Sequence, residues 1–245
     1  MRAHKPSRNR RSAKIHPSAK KSLRSRALAS ARYLAIVLVG LWLLAALLLT
    51  SLRWCNPPTT AVRVERHFEG WFAPHPYTER YAYVPLSRIS PQLQHAVIAA
   101  EDARFYQHHG FDWHAMELAA QNDLDGGRRL RGGSTLTQQL VKNIYFGTGR
   151  SILRKIAEAS LVPVAELMLG KRRILELYLN EVEWGPGIFG AQAASLYYDH
   201  TQASRLSREE AARLAAILPD PRHRKPQQMN HYSALIERRM SQMGW

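Results

Sequence analysis

The chain has 245 residues, enough for one substantial core with appendages. Its formal net charge of +16 would by itself suggest a nucleic-acid partner. The charge is concentrated in a tail, however: residues 1–32 hold eleven Lys/Arg and no acid, leaving 24 Lys/Arg against 19 acids in the rest, and this distribution excludes nucleic acid as partner of the main body.

The tail is poor in aromatics and interrupted by Pro6 and Pro17, so it reads as disordered in isolation. YLAIVLVGLWLLAALLLTSL follows, twenty residues without a charge between Arg32 and Arg53. At about 1.5 Å per residue this run covers roughly 30 Å, the thickness of a bilayer core. Tyr33 and Trp54 flank it, where interfacial rings are favoured. The run exceeds a signal-peptide core and no small-x-small cleavage site follows, so residues 33–54 are expected to form an uncleaved transmembrane helix. The basic residues then keep 1–32 cytoplasmic, by topology and by attraction to anionic lipid, and residues from about 55 onward lie outside. Cys55, the single cysteine, cannot form an internal disulfide.

Residues 55–89 contain Pro57, Pro58, Pro74, Pro76 and Pro85 among short mixed runs and read as a connector with short extended pieces. The character changes at Ser90-Pro91, where Ser caps a helix and Pro takes its first position. Leu93, Ala96, Val97 and Ala100 recur at helical spacing, which puts Glu101 near the helix end. WHAMELAAQ predicts a second helix, and the Gly- and Arg-rich NDLDGGRRLRGGST a mobile loop. STLTQQLVKNIYF resumes helical spacing behind a Ser134 or Thr135 cap. RSILRKIAEASLVPVAELML follows, with Pro163 as a kink or boundary, and KRRILELYL is a further helix. Ser207 to Glu210 has capping-box form and opens EEAARLAAIL, which Pro219 stops, and NHYSALIERRMSQM closes the chain. No strand alternation stands out after residue 90, so residues 90–245 are expected to form one mainly helical domain.

Four stretches carry polar residues that helix packing does not explain. Glu101 and Asp102 end an apolar helix and are followed by Arg104, aromatics and His108-His109, an expensive arrangement for packing alone. Glu101 is the candidate catalytic residue. Ser134, Gln138, Gln139 and Lys142 follow the glycine-rich loop. Arg150, Arg154, Lys155 and Glu158 follow those: Arg154 and Glu158 share a helix face, and a surface salt bridge is the plain reading of that pair alone. Beside Lys142 and the amide-rich loop, the same residues also make an anion site of the kind that binds phosphates. Two carboxylates with such a site suggest transfer from a phosphorylated donor to a hydroxyl acceptor. The fourth stretch runs from Glu176 to Gly190.

AVIAAEDARFYQHHGFD, RGGSTLTQQLVKN, RSILRKIAEA, KRRILELYLNEVEWGPGIFGAQAAS and LSREEAARLAAILPDP resemble, in order, the five motifs of the peptidoglycan glycosyltransferase family, which also supplies the glycosyltransferase module of bifunctional penicillin-binding proteins. The match covers roughly residues 85–220, without the S-x-x-K, S-x-N and K-T-G set of a transpeptidase, as in the family's monofunctional members. The resemblance implies a lysozyme-like, two-lobed helical domain that polymerises lipid II at the bacterial inner membrane. It implies that Glu101 is the base acting on the acceptor 4-hydroxyl and that Glu158 is the second carboxylate, near the pyrophosphate and a divalent cation (Mg or Mn), with no organic cofactor. By the same resemblance Ser134, Gln138, Gln139, Lys142, Arg150, Arg154 and Lys155 line the donor's phosphate and sugar site, and Asn180, Gly185, Gly187 and Gly190 are structural. Implied partners are lipid II, the growing glycan strand, the membrane, and penicillin-binding and division proteins. Ala103, Gln107 and Tyr197-Tyr198-Asp199 depart from the usual motifs.

Plainer expectations cover the remaining residues. His108, His109 and His114 have packing roles rather than zinc ligation, since adjacent histidines point apart and no cysteine is near. Asp102 supports Arg104 or a helix end. Phe105, Tyr106 and Phe111 belong to the core, and Glu176 and Glu181 are solvated. Two other functions fit parts of the pattern: a lytic glycan-cleaving enzyme, which has no pyrophosphate for the Lys/Arg cluster to hold, and a silent wall-binding scaffold, which has no use for both glutamates.

Overall fold

A computed structural model describes residues 17–74, 76–124, 133–149 and 151–245. The described residues fall into two units that divide between Ala45 and Ala46. Helix α1 spans Pro17–Ser51, and its stretch Leu28–Ser51 is long and apolar enough to cross a membrane, with a mean hydropathy of 2.5. The helix starts well before Tyr33, inside the segment whose composition reads as disordered. Extending an existing helix adds a hydrogen bond per residue without a nucleation cost, and the Ala-, Leu-, Lys- and Arg-rich stretch after Pro17 has good propensity for it.

The second unit is mainly helical. α2 (Ala61–Trp71) corrects the reading of residues 55–89 as a plain connector. Thr60 caps it by accepting from Arg63 N, and Arg63 and Arg66 are buried on one face in ion pairs with Glu79 and Glu183. Arginines read as solvated in sequence; here they are the inward face, and their partners lie up to 117 residues away. Strand β1 (Arg80–Tyr81) runs parallel to β3 (Ile188–Phe189), which pairs antiparallel with β2 (Glu183–Gly185). Pro186-Gly187 joins β2 to β3, and Gly187 has φ of +72°, as a Pro-Gly turn requires. Strands this short show no alternation, so the sequence reading of no strands after residue 90 misses them.

The core is built by α3 (Pro91–Glu101), α5 (Leu136–Tyr145), α6 (Ile152–Glu181), α8 (Arg208–Ile217) and α9 (Asn230–Gln242). α5 packs on α6, and α3 packs on α8 and α9. α4 (Trp113–Leu124) precedes the glycine-rich stretch, of which residues 125–132 lie outside the described residues, and α7 (Ala191–Tyr198) follows β3. Pro163 lies inside α6; the break falls at Gly170, where φ of +71° interrupts the helix as only glycine does cheaply. Phe105 is fully buried, whereas Tyr106 is 58% exposed and lies outside the core.

Glu176 and Glu181, expected to be solvated, instead join residues 79–86 to α6. Glu176 accepts from Tyr83 Oη at 2.6 Å and Leu86 N at 2.8 Å and pairs with Arg173. Asn180, between them, exchanges hydrogen bonds with both backbone groups of Val84. Glu181 is fully buried and accepts from Tyr81 Oη at 2.7 Å, with Arg63 at 3.8 Å. Burial pushes the Glu181 carboxyl up to about 7, against the pull of Tyr81 and Arg63. The folded protein therefore holds more protons than the unfolded chain between about pH 4.5 and pH 7, and stability falls as pH rises through that window. Glu181→Gln removes this slope: between pH 5 and pH 7.5 the wild-type melting midpoint should drop by about 2 to 4 °C more than the variant's, as thermal unfolding at the two pH values measures.

Candidate active site

The site begins where α3 ends. Ser90 caps the helix by accepting from Gln92 N at 3.2 Å, and Asp102 terminates it with φ −157° and ψ 70°. Glu101 thus occupies the last turn, where a carboxylate opposes the helix dipole, and packing gains nothing from it there.

Asp102 turns inward and is 6% exposed. Its carboxylate accepts from Leu136 N at 2.9 Å, satisfying a free amide at the start of α5, and from His108 Nε2 at 2.9 and 3.0 Å. Gly110 N donates to His108 Nδ1, so the proton sits on Nε2 and both ring nitrogens are engaged within the fold. Asp102 supports a helix end, and Arg104 pairs instead with Asp112 at 3.4 Å.

α5 then delivers the second set of side chains. Thr135 caps it with a capping box: Gln138 N donates to Thr135 Oγ1, while Gln138 Oε1 accepts from Thr135 N at 2.9 Å. Gln138, expected to line the donor site, is 2% exposed and serves this cap instead. Gln139, one position around the helix, reaches Glu101 Oε2 with Nε2 at 2.9 Å. Its Oε1 accepts from Tyr178 Oη at 3.0 Å. Tyr178 is fully buried, and burial followed by the nearby Glu101 and Asp102 holds its phenol well above the usual value, so it stays a donor. That donor settles which end of the Gln139 amide faces Glu101. The sequence reading overlooked Tyr178; its only signal is a hydroxyl within the apolar ILELYL run.

Glu101, Ser134, Gln139, Lys142, Lys155 and Glu158 line one cleft of about 330 Å³, together with Leu218, Pro219 and Tyr232. A neighbouring cavity of about 240 Å³ shares Glu101 and Ser134 and opens on Arg104, Asp112, His114 and Arg239. Glu101 lies at the seam between a cationic space and a mixed polar one.

Glu158 is 1% exposed and accepts from Lys155 Nζ at 2.6 Å, so the pair is not the surface bridge that spacing suggests, and its partner is Lys155 rather than Arg154. Glu158 Oε2 is buried without a hydrogen-bond partner among the described residues. Arg154 donates to Gly147 O at 3.0 Å, outside the cleft lining, while still bearing electrostatically on Lys142. Arg150 lies outside the described residues. Burial, then Arg154 and Lys155, lower the Lys142 pKa, while Glu158 and Glu65 pull it up. An ammonium desolvated among other cations gains from a bound anion, which makes this end of the cleft an anion receptor.

A family model described as Transglycosylase matches residues 70–243. The biosynthetic peptidoglycan transglycosylase of Laribacter hongkongensis is 44% identical over 194 residues, 77% of this chain and 85% of that protein. Its counterpart in Pseudomonas entomophila is 48% identical over 197 residues, covering 79% and 83%. That of Ectopseudomonas mendocina is 43% identical over 217 residues, covering 87% and 89%.

Gln138 and Ser134 separate structure from cleft chemistry. Gln138→Ala should cost about 1 kcal/mol through the lost cap and lower the melting midpoint by about 2 to 4 °C. Ser134→Ala, at an exposed cleft position, should leave the midpoint within about 1 °C in the same thermal scan.

Proposed function

The chain belongs to the transglycosylase family and is a peptidoglycan glycosyltransferase of cell-wall synthesis; on that premise we propose a division of labour between the two ends of the cleft. The substrates are lipid II and the growing glycan strand. Glu101 takes the proton from the 4-hydroxyl of the acceptor sugar as that oxygen attacks the anomeric carbon of the donor. The bond from that carbon to the diphosphate oxygen breaks, the electron pair leaves with undecaprenyl diphosphate, and the α configuration inverts to β. Lys142 and Lys155 stabilise the charge growing on the departing diphosphate, in a partly buried cleft where such interactions are strong.

The observation that carries this reading is the position of Glu101. It is held by Gln139 between the cationic cleft, which suits the donor's diphosphate, and the cavity beyond, which suits the acceptor. A glycan-cleaving reaction would have no use for a desolvated Lys142.

The second carboxylate bears on a divalent cation. Among the described residues no three His, Cys, Asp or Glu converge as a metal cage. The unpartnered Oε2 of Glu158 does fit a Mg or Mn ion held jointly by one carboxylate and substrate phosphates, a usual arrangement for Mg. Bound there, such an ion would neutralise diphosphate charge. Without it, Glu158 holds Lys155 in place and offsets the local excess of positive charge.

The α1 stretch Leu28–Ser51 suits a membrane anchor that keeps the enzyme beside a lipid-linked substrate. In this reading the anchor lies in the inner membrane, the basic tail is cytoplasmic and the catalytic unit is on the outer side, near penicillin-binding and division proteins.

Purified protein should convert labelled lipid II into lysozyme-sensitive polymer. Glu101→Gln should reduce the initial rate by about a hundredfold or more with an unchanged melting midpoint, as expected for loss of a general base. Full activity in that variant would remove Glu101 from the role.

A further inference from the structure

A further cavity lies apart from the catalytic cleft. It measures about 770 Å³ and is walled by the end of α2, residues 76–80, the β2–β3 turn, the end of α7 and the loop after α8. The acids in this wall are engaged: Glu183 and Glu69 pair with Arg66, each at 2.9 Å, and Glu69 also with Arg222 at 3.1 Å. Arg80, Arg224 and Lys225 add positive charge for which no acid partner is recorded among the described residues. The Arg80 guanidinium lies 5.3 Å from the centre of the half-exposed Tyr197 ring. Tyr77 Oη is buried without a hydrogen-bond partner among the described residues, and burial pushes it up to about 12, so at neutral pH it is a donor. The wall therefore offers cations and an aromatic face. That chemistry suits a sugar chain bearing carboxylates: ring faces stack on tyrosine, and acids meet Arg and Lys.

The position of the cavity points to the source of such a chain. Pro219 lines the catalytic cleft and Arg222 lines this cavity, so at most about 11 Å of chain separates them. Tyr232 lines the cleft and faces Arg224, which lines the cavity, at 5.8 Å. Both junctions join the wall of the catalytic cleft to the wall of this cavity.

We propose that this cavity is a second glycan-binding site, holding the acidic older units of the growing strand while its lipid-linked end occupies the catalytic cleft. This rests on the glycosyltransferase reading above. A strand held at two points rebinds as if at high local concentration, so the site favours repeated addition over release.

The test uses the full-length chain in detergent and a soluble peptidoglycan oligosaccharide with acidic stem peptides and no prenyl diphosphate. Arg80→Glu with Lys225→Glu alters two exposed side chains, and the single variant Lys225→Glu serves if the double variant melts early. The double variant should bind the probe about tenfold or more weakly, the worth of one or two charge-assisted contacts. Its initial rate of lipid II consumption should stay within about twofold of wild type while mean product length falls by about half or more, as expected when only rebinding is lost. Unchanged probe affinity and product length would overturn the site. So would a loss of binding to anionic vesicles with oligosaccharide binding intact, which would assign the surface to lipid. Failure of wild-type protein to polymerise lipid II would instead overturn the proposed function, because the binding arm is read without lipid II.

Discussion

The geometry of the site depends on where the buried Asp102 carboxylate is satisfied. It lies one residue beyond Glu101, and water does not reach it, so its oxygens must find donors within the fold. It finds them in Leu136 N, at the first turn of α5, and in His108, whose other nitrogen is held by Gly110 N. One carboxylate thereby fixes the end of α3 against the start of α5. Because α5 begins at a set point, Gln139 comes level with Glu101, and Lys142, three residues on, projects along the same face into the cleft. The sequence pair Glu101-Asp102 divides into a group that faces substrate and one that positions it.

The same economy appears at the cationic end. A half-buried Lys142 desolvated among other cations and a buried Glu158 are each unfavourable alone. Lys155 covers one oxygen of Glu158 and leaves the other unpartnered among the described residues, while Arg154 is directed to a backbone carbonyl yet still raises the local potential. Such a cluster is less stable than an apolar one would be and is poised for an anion. The cost is carried by the packing of α5 on α6 and by the ties that Glu176, Asn180 and Glu181 make to residues 79–86.

Much of this is legible in the residues themselves. The Ser90-Pro91 start, the Ser207 capping box and the apolar span before Arg53 act through neighbours in sequence, and local chemistry is enough to read them. Glu101 stood out because a carboxylate at the end of a buried helix has no packing motive. What was missed depends on partners far along the chain. Nothing near Arg63 or Arg66 reveals that Glu79 and Glu183 will bury them, nor near Glu181 that Tyr81 will. Gln138 and Gln139 are chemically identical neighbours, and only the helix phase set at Thr135 sends one to the cap and the other to Glu101. Spacing put Arg154 on the face of Glu158, and packing chose Lys155. The β2–β3 pair was not read at all, because strands of two or three residues carry no period.

The central claim is that one end of the cleft holds diphosphate while Glu101 acts only on the attacking hydroxyl. The equilibrium affinity of a short-chain polyprenyl diphosphate for wild type, Lys142→Ala and Glu101→Gln tests it most directly. The account predicts that Lys142→Ala binds about tenfold or more weakly, as loss of a charge-assisted contact implies, and that Glu101→Gln binds within about twofold of wild type. Equal losses in both variants, or no loss in Lys142→Ala, would contradict it.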